Sequence, residues 1–468
     1  MKLTFWGASR QVTGSMYLLE LASGYKILID CGTDYDARHQ PVTSPLFPCL
    51  PSEIDIMLLT HAHLDHTGNI PSLIQSGFKG KIVCTAPTFD LTSILLRDSA
   101  ALNLKRVKQM EMGNSKMKRR LEDSEKTMYF EKQADEALEQ FRTIAFNTRK
   151  ELTNNVFITF LPAGHLLGAA TIFIENEEGP ESKSIIFSGD IGRNNYPLLE
   201  DPSPIPQADY LVCESTYGSR LHSDKEHPED EVEEVIISTC VSQSGRLIIP
   251  AFSIGRTQTL LYILNKLYLQ KRLPPVKVFS DSPMAENCTR IYEKYHDWLN
   301  PEAKNIFKEH GSLFDFDNLV QVTNEKESKA ISSHTEPCII VSSSGMITGG
   351  RMQHHIKKNI NNPYCTVLVI GYSAEGTPGY ELTNGNRSIR IQGKEIPIAA
   401  RIVTTDVFSG HADQKGLIDF VKKQSTQKLK RIFLVHGEYS SMKVFKEALS
   451  QEGFDKVEMP EKGNVYEL

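Results

Sequence analysis

The sequence predicts an α/β fold in two parts, and three observations point there. The chain has 468 residues, more than one domain of ~100–200 residues accommodates. Its first two hundred residues carry short apolar runs that read as consecutive strands joined by glycine-containing turns. From about residue 228 the texture changes to strands alternating with helices. That alternation implies right-handed crossover units and a parallel sheet.

The strands of the first part are expected at 3–6, 15–21, 25–30 and 55–60. Further strands follow at 157–162 and 184–188, linked across a polar turn at 176–182, and at 209–214 and 431–435. The second part reads as helix 229–241, strand 246–250, helix 255–269, strand 276–279 and helix 285–298. Strand 338–341, helix 351–359 and strand 367–370 complete it. Residues 97–155 are charged and helical in period. They read as a solvated helical insertion carrying a basic patch, KMKRR, at 116–120.

Composition narrows the class. Hydrophobic residues are 40 % and charged residues 24 %, values that exclude a disordered chain, a collagen and a coiled coil. No apolar run approaches the ~20 residues of a membrane helix. The start, MKLTFWGASRQVTG, lacks a charged leader followed by an apolar core, so no signal peptide is expected. The net charge of −6 is not that of a protein coating nucleic acid. It leaves room for an enzyme that meets nucleic acid in one local basic cleft. Eight cysteines, at 31, 49, 84, 213, 240, 288, 338 and 365, form no C-x-x-C pair. They read as reduced thiols of a cytoplasmic chain, mostly buried in strands.

The strongest chemical signal is His61-Ala-His63-Leu-Asp65-His66, directly after the apolar strand ending at Thr60. Imidazole and carboxylate are zinc ligands of hydrolytic sites, and this loop is dense enough for more than one ion. It cannot close two sites alone. His165 (FLPAGH), Asp190 (IIFSGD) and His436 (FLVHG) each follow an apolar strand, and strand ends converge on one edge of a sheet. The set divides into His61, His63 and His165 for one zinc and Asp65, His66 and His436 for a second, with Asp190 bridging. Two adjacent ions lower the pKa of a shared water and stabilise an in-line displacement. Asp30 ends another strand and is expected to orient a histidine ligand rather than to bind metal.

These motifs resemble those of the metallo-β-lactamase superfamily. Two further segments, ADYLVCESTYGSR at 208–220 and VFSGHAD at 407–413, with LVHGE at 434–438, resemble the later motifs of the β-CASP nucleases. The likeness is to the endonuclease subunit of the eukaryotic mRNA 3′-end cleavage machinery (the cleavage and polyadenylation specificity factor type) and its prokaryotic relatives. It runs from Trp6 to His436. The resemblance implies a metallo-β-lactamase αββα sandwich with an inserted parallel-sheet β-CASP domain. The first domain is then discontinuous, 1–208 and 405–468, around an insert at 209–404. It implies two Zn2+ per chain and the seven ligands named above. Asp65, Glu214 and His411 form the expected catalytic set, Asp65 doubling as a ligand.

His411 suits a general acid near neutral pH, and Glu214 suits its orienting carboxylate. Ser253 and Arg256 open one helix, and Ser343, Ser344 and Gly345 precede another. With Arg220 they are candidate RNA phosphate contacts. His354 and His355 read as a helix face outside the site. Cys31 and Cys213 should turn away from the site by strand alternation. The expected function is zinc-dependent hydrolysis of single-stranded RNA, by endonuclease or 5′-exonuclease action, in RNA processing or decay. A homodimer rests on family analogy. The alternatives are a hydrolase of DNA or of a small ester or thioester, and a non-catalytic RNA-processing subunit.

Overall fold

A computed structural model describes residues 1–468 except 36–41, 43–44, 112–127, 180, 224–226 and 372. The side chains of residues 109 and 110 are also left out. The basic KMKRR patch lies outside the described residues. The chain divides into two compact units, Met1–Asn194 with Asp201–Leu221 and His411–Leu468, and Asn195–Glu200 with His222–Gly410. Among the described residues no helix is long and apolar enough to cross a membrane.

The first unit is a sandwich of two seven-stranded sheets. One sheet runs Val465–Glu467, Lys2–Gly7, Met16–Glu20, Lys26–Ile29, Ile56–Leu58, Lys81–Cys84, Phe141–Thr143. The other runs Val457–Glu458, Arg431–Val435, Tyr210–Glu214, Lys183–Phe187, Ala170–Asn176, Val156–Pro162, Lys150–Thr153. Strand alternation builds the layers. Leu3, Phe5, Leu19, Ile27 and Leu58 face inward and meet Ile158, Phe160, Ile172, Phe187, Val212 and Phe433. Their neighbours Leu18, Leu28, Met57 and Ile82 face outward, under helices Ile70–Gln75, Ala86–Glu111 and Glu131–Leu138. On the other sheet Ile186, Leu211, Cys213 and Leu434 face outward, under Gln414–Val421 and Tyr439–Gln451. The result is four layers, helix–sheet–sheet–helix. Cys31 and Cys213 are fully buried in the two outer apolar clusters, away from the site carboxylates beside them.

The second unit holds a six-stranded, all-parallel sheet in the order Leu319–Gln321, Lys277–Asp281, Cys338–Ser342, Arg246–Pro250, Cys365–Val369, Arg401–Thr404. Its central strands Cys338–Ser342 and Cys365–Val369 are buried along their whole length, and Arg246–Pro250 is buried after Arg246, as sheets covered on both faces require.

Four expectations need correction. The compact units do not part at 208/209. Tyr210–Glu214 pairs in parallel with both Lys183–Phe187 and Arg431–Val435, so it is a central strand of the first unit, and the chain crosses after Leu221. The chain returns at His411, not at 405. The turn at 176–182 joins Lys183–Phe187 to Ala170–Asn176, a strand the sequence reading passed over. Finally, within 97–155, the described residues after 127 are not a solvated insertion. Ala134, Ala137 and Leu138 are buried, and Phe141–Thr143 and Lys150–Thr153 complete the edges of the two sheets.

Candidate metal centre

The site is assembled at one edge of the sandwich, where strands pointing the same way end. Asp30 follows Lys26–Ile29, and the histidine loop follows Ile56–Leu58. His165 follows Val156–Pro162, Asp190 follows Lys183–Phe187, and His436 follows Arg431–Val435. Backbone bonds fix the loop to its neighbour: Cys31 N–H to His66 O at 2.8 Å, Thr33 N–H to Leu64 O at 2.8 Å, and Ser15 N–H to Asp65 O at 2.8 Å. Only glycine fits at Gly32, where a Cβ would lie 1.6 Å from Asp65 O. The loop bearing His165 is held by the hydroxyls of Thr85 and Thr88, which donate to Gly168 O at 2.7 and 2.9 Å. Gly168 adopts φ +79, a left-handed conformation suited to glycine.

Three donor groups result. His61, His63, His165 and Asp190 form the first, Asp65, His66 and His436 the second, and Asp190, Glu214 and His411 the third. In the first, His63 Nδ1 lies 3.2 Å from His61 Nε2 and 3.1 Å from His165 Nε2. Asp190 Oδ2 lies 3.4 Å from His61 Nε2 and 3.5 Å from His165 Nε2. Donor atoms ~2.0–2.1 Å from a tetrahedral ion lie roughly 3.3 Å apart, so this spacing fits a metal. Asp190 Oδ1 faces the second group, 3.4 Å from His66 Nε2 and 3.7 Å from His436 Nδ1. That oxygen is buried and accepts no hydrogen bond among the described residues. A buried carboxylate oxygen without a donor is costly unless a cation meets it. His436 Nε2 lies 3.4 Å from Asp65 Oδ2. The residues therefore fit a metal cofactor.

The surrounding bonds orient the ligands. Asp30, 1 % exposed, accepts from Thr60 N–H at 2.8 Å, from Thr60 Oγ1 at 2.8 Å and from His66 Nδ1 at 2.7 Å. His66 Nε2 is thereby turned toward Asp190. Thr216 Oγ1 lies 3.0 Å from His436 Nδ1. Thr60 and Thr216 were not singled out from sequence. Their only signal is adjacency, Thr60 before the histidine loop and Thr216 inside the EST segment. Asp30 and His436 both adopt positive φ, +58 and +48. Non-glycine residues held there mark functional sites more often than chance.

The charges interlock. Burial, and next the neighbouring His66, press His61 well below the usual histidine range. Burial presses His63 down to about 4. Both rings are thus neutral at pH 7, the form that binds metal. Burial opposes ionisation of Asp65, but the His436 hydrogen bond and His66 outweigh it and hold the carboxylate below its usual range. Burial likewise opposes Asp190, and His436 and His66 outweigh it. For His66 burial is overcome by Asp190 and Asp30, which raise it well above the usual value.

Glu214 is fully buried. Its Oε1 accepts from Ile191 N–H at 2.7 Å and lies 3.0 Å from His411 Nδ1. His411 Nε2 then points back to Asp190, 4.0 Å from Oδ2. Every expected ligand and the expected His411–Glu214 pair meet at this edge.

The candidate phosphate contacts are divided between the two units. Arg220 belongs to the first unit, and Ser253, Arg256, Ser343, Ser344 and Gly345 belong to the second. There, Ser253 Oγ is 3.3 Å from Ser282 Oγ, which is 3.1 Å from Ser343 Oγ, at the ends of three adjacent parallel strands. Ser344 Oγ accepts from Thr348 N–H at 3.0 Å. Arg256 lies over the Phe252 ring at 4.7 Å, and Gly345 packs on the same ring. His355, in the second unit, is buried and bonded to Asp281 at 2.6 Å.

Comparison with known proteins agrees with this architecture. Residues 18–200 match the metallo-beta-lactamase superfamily domain, 257–382 the Beta-Casp domain, and 395–460 the Zn-dependent metallo-hydrolase RNA specificity domain. "Ribonuclease TTHA0252" of Thermus thermophilus is 32 % identical over 454 residues, 97 % of each chain. The "RNase J-like protein" of Methanocaldococcus jannaschii is 32 % identical over 94 % of this chain and 93 % of its own. "Transcription termination factor FttA" of the same organism is 29 % identical over 94 % of this chain and 67 % of its own. The sandwich, the inserted parallel-sheet unit and these matches together make the chain a member of the β-CASP family of the metallo-β-lactamase superfamily.

Proposed function

We propose that this chain is a zinc-dependent ribonuclease that hydrolyses phosphodiester bonds of single-stranded RNA in RNA processing or decay. The observation that carries the reading is His411, held by Glu214 through Nδ1, with its Nε2 turned toward Asp190. A proton donor beside two metal-donor sets is what cleavage of an unactivated ester with a poor leaving group requires. The relatives named as ribonuclease and RNase J-like, and the match to an RNA specificity domain, support RNA as substrate.

His61, His63 and His165 would hold one Zn2+, Asp65, His66 and His436 a second, and Asp190 would bridge them. Bound there, two ions supply an acidified water and charge stabilisation on the phosphoryl oxygens. His411 Nε2–H donates its proton to the departing 3′ oxygen, leaving 3′-hydroxyl and 5′-phosphate ends. Glu214 keeps the His411 ring oriented through Nδ1. Asp30 keeps His66 Nε2 aimed at the site. Arg220, Ser253, Arg256, Ser343, Ser344 and Gly345 are read as RNA backbone contacts. The free thiols, seven of eight buried, suit the cytoplasm.

The test uses zinc-loaded protein with circular single-stranded RNA, linear 5′-monophosphate RNA of the same sequence, and a His436→Ala control. Cutting of the circle by the parent alone gives an endonuclease. A surviving circle with a degraded linear RNA gives a 5′-exonuclease. Two intact RNAs refute the reading.

A further inference from the structure

We propose that Thr216 is the positioning residue that prepares His436 to bind metal, and that the segment Glu214–Thr216 sets the proton donor and the second donor group in one register. The inference rests on the two-zinc reading above.

The argument starts from one hydroxyl. Thr216 Oγ1 donates to His436 O at 3.1 Å. A threonine hydroxyl has a single proton. That proton is committed to the carbonyl, so toward His436 Nδ1, 3.0 Å away, the same oxygen acts as acceptor. Nδ1 must then carry the ring's hydrogen. In the neutral ring, the form that binds metal, Nε2 is left with its lone pair once it gives up the hydrogen it shares with Asp65 Oδ2 at 3.4 Å. Thr216 thus selects both the tautomer and the ring orientation that a metal ligand needs.

The same hydroxyl also holds the backbone. His436 adopts φ +48, a conformation that an L-residue keeps only when its surroundings impose it. Its carbonyl receives Thr216 Oγ1 and also Ser215 N–H at 3.2 Å. Ser215 Oγ donates to Val435 O at 2.7 Å. Two side chains of one short segment therefore clamp the end of the neighbouring strand.

The other end of the segment faces the proton donor. Thr216 N–H donates to Glu214 Oε2 at 3.2 Å, while Glu214 Oε1 meets His411 Nδ1 at 3.0 Å. Three consecutive residues so address His411 and His436, whose rings stand 6.0 Å apart. A shift of this segment would move acid and ligand together.

The test compares the parent, Thr216→Val and Thr216→Ser. Valine keeps the shape and loses the hydroxyl; serine keeps the hydroxyl. Zinc-loaded proteins are dialysed against graded chelator, and retained metal is measured by mass spectrometry, with melting temperature and kcat and KM alongside. The expected result is that Thr216→Val loses one of two ions at roughly 10–100-fold lower chelator, the usual effect of removing a ligand's orienting partner. Its kcat falls with KM near the parent's, and Thr216→Ser returns to the parent's curve. Thr216→Ala gives the same readout if the valine variant does not fold. Retention curves that coincide for Thr216→Val and parent overturn the inference, and so does equal loss in the valine and serine variants. A parent holding fewer than two ions instead refutes the two-zinc reading.

Discussion

Replacing His411 by alanine isolates proton donation from metal binding. His411 belongs to neither the four-residue nor the three-residue donor group read as the two metal sites. Its Nδ1 is occupied by Glu214 at 3.0 Å, and its Nε2 is 4.0 Å from the shared carboxylate. His411→Ala should therefore retain two ions while losing the general acid. A positioned acid contributes ~10²–10⁴-fold, or roughly 2.7–5.5 kcal/mol of barrier. The assay is single-turnover cleavage at pH 7 of two RNAs, one natural and one with a 3′-bridging sulfur at the scissile bond. A thiolate departs without a proton. The variant should be slow on the natural RNA by that factor and within ~10-fold of the parent on the sulfur-bridged one. An equal defect on both substrates would refute proton donation by His411, and loss of metal in the variant would refute its separation from the donor groups.

Asp30→Asn turns an acceptor toward a donor. The amide must face either Thr60 or His66, and a hydrogen accepted by His66 Nδ1 forces the ring's own hydrogen onto Nε2, the atom facing Asp190. Zinc retention should fall by about 10–100-fold in chelator titration, and an unchanged midpoint would exclude the orienting role. The metal-free protein should be most stable near pH 6.5. Below that pH, His63, pressed down to about 4, stays neutral while its unfolded counterpart takes a proton, so stability is lost as pH falls toward 4. Above it, the raised His66 keeps its proton only in the folded state, and that contribution fades as pH rises through its folded value. Thermal melts from pH 4 to 9 that show no maximum would contradict both directions.

The ligands were readable because each follows an apolar strand, and same-direction strands end on one edge. The histidine loop after Thr60 needed no more than spacing. Other features left weaker traces. Ala170–Asn176 alternates Ile172 and Ile174 inward against Phe173 outward, but the polar tail at 175–182 masks its end. Phe141–Thr143 and Lys150–Thr153 are sheet edges with exposed charged residues, so their composition imitates a surface helix. Strand 209–214 reads with those of the first part, but the crossing after Leu221 is set by its pairing with a strand more than two hundred residues later, which no local pattern encodes. Thr60 and Thr216 escaped notice because threonine at a strand end is ordinary composition. Their roles exist only once the fold brings Asp30 and His436 beside them.

The parallel pairing of Tyr210–Glu214 with Arg431–Val435 has a consequence for the timing of synthesis. His436 joins the second donor group, and His411 reaches Glu214, only after the whole second unit has been synthesised. A nascent chain can pair the strands from Lys2–Gly7 to Phe141–Thr143 and still lack both His436 and His411. Such long-range closure is slow to form. A chain that stops before His411 carries neither the partner of Glu214 nor a complete second donor group.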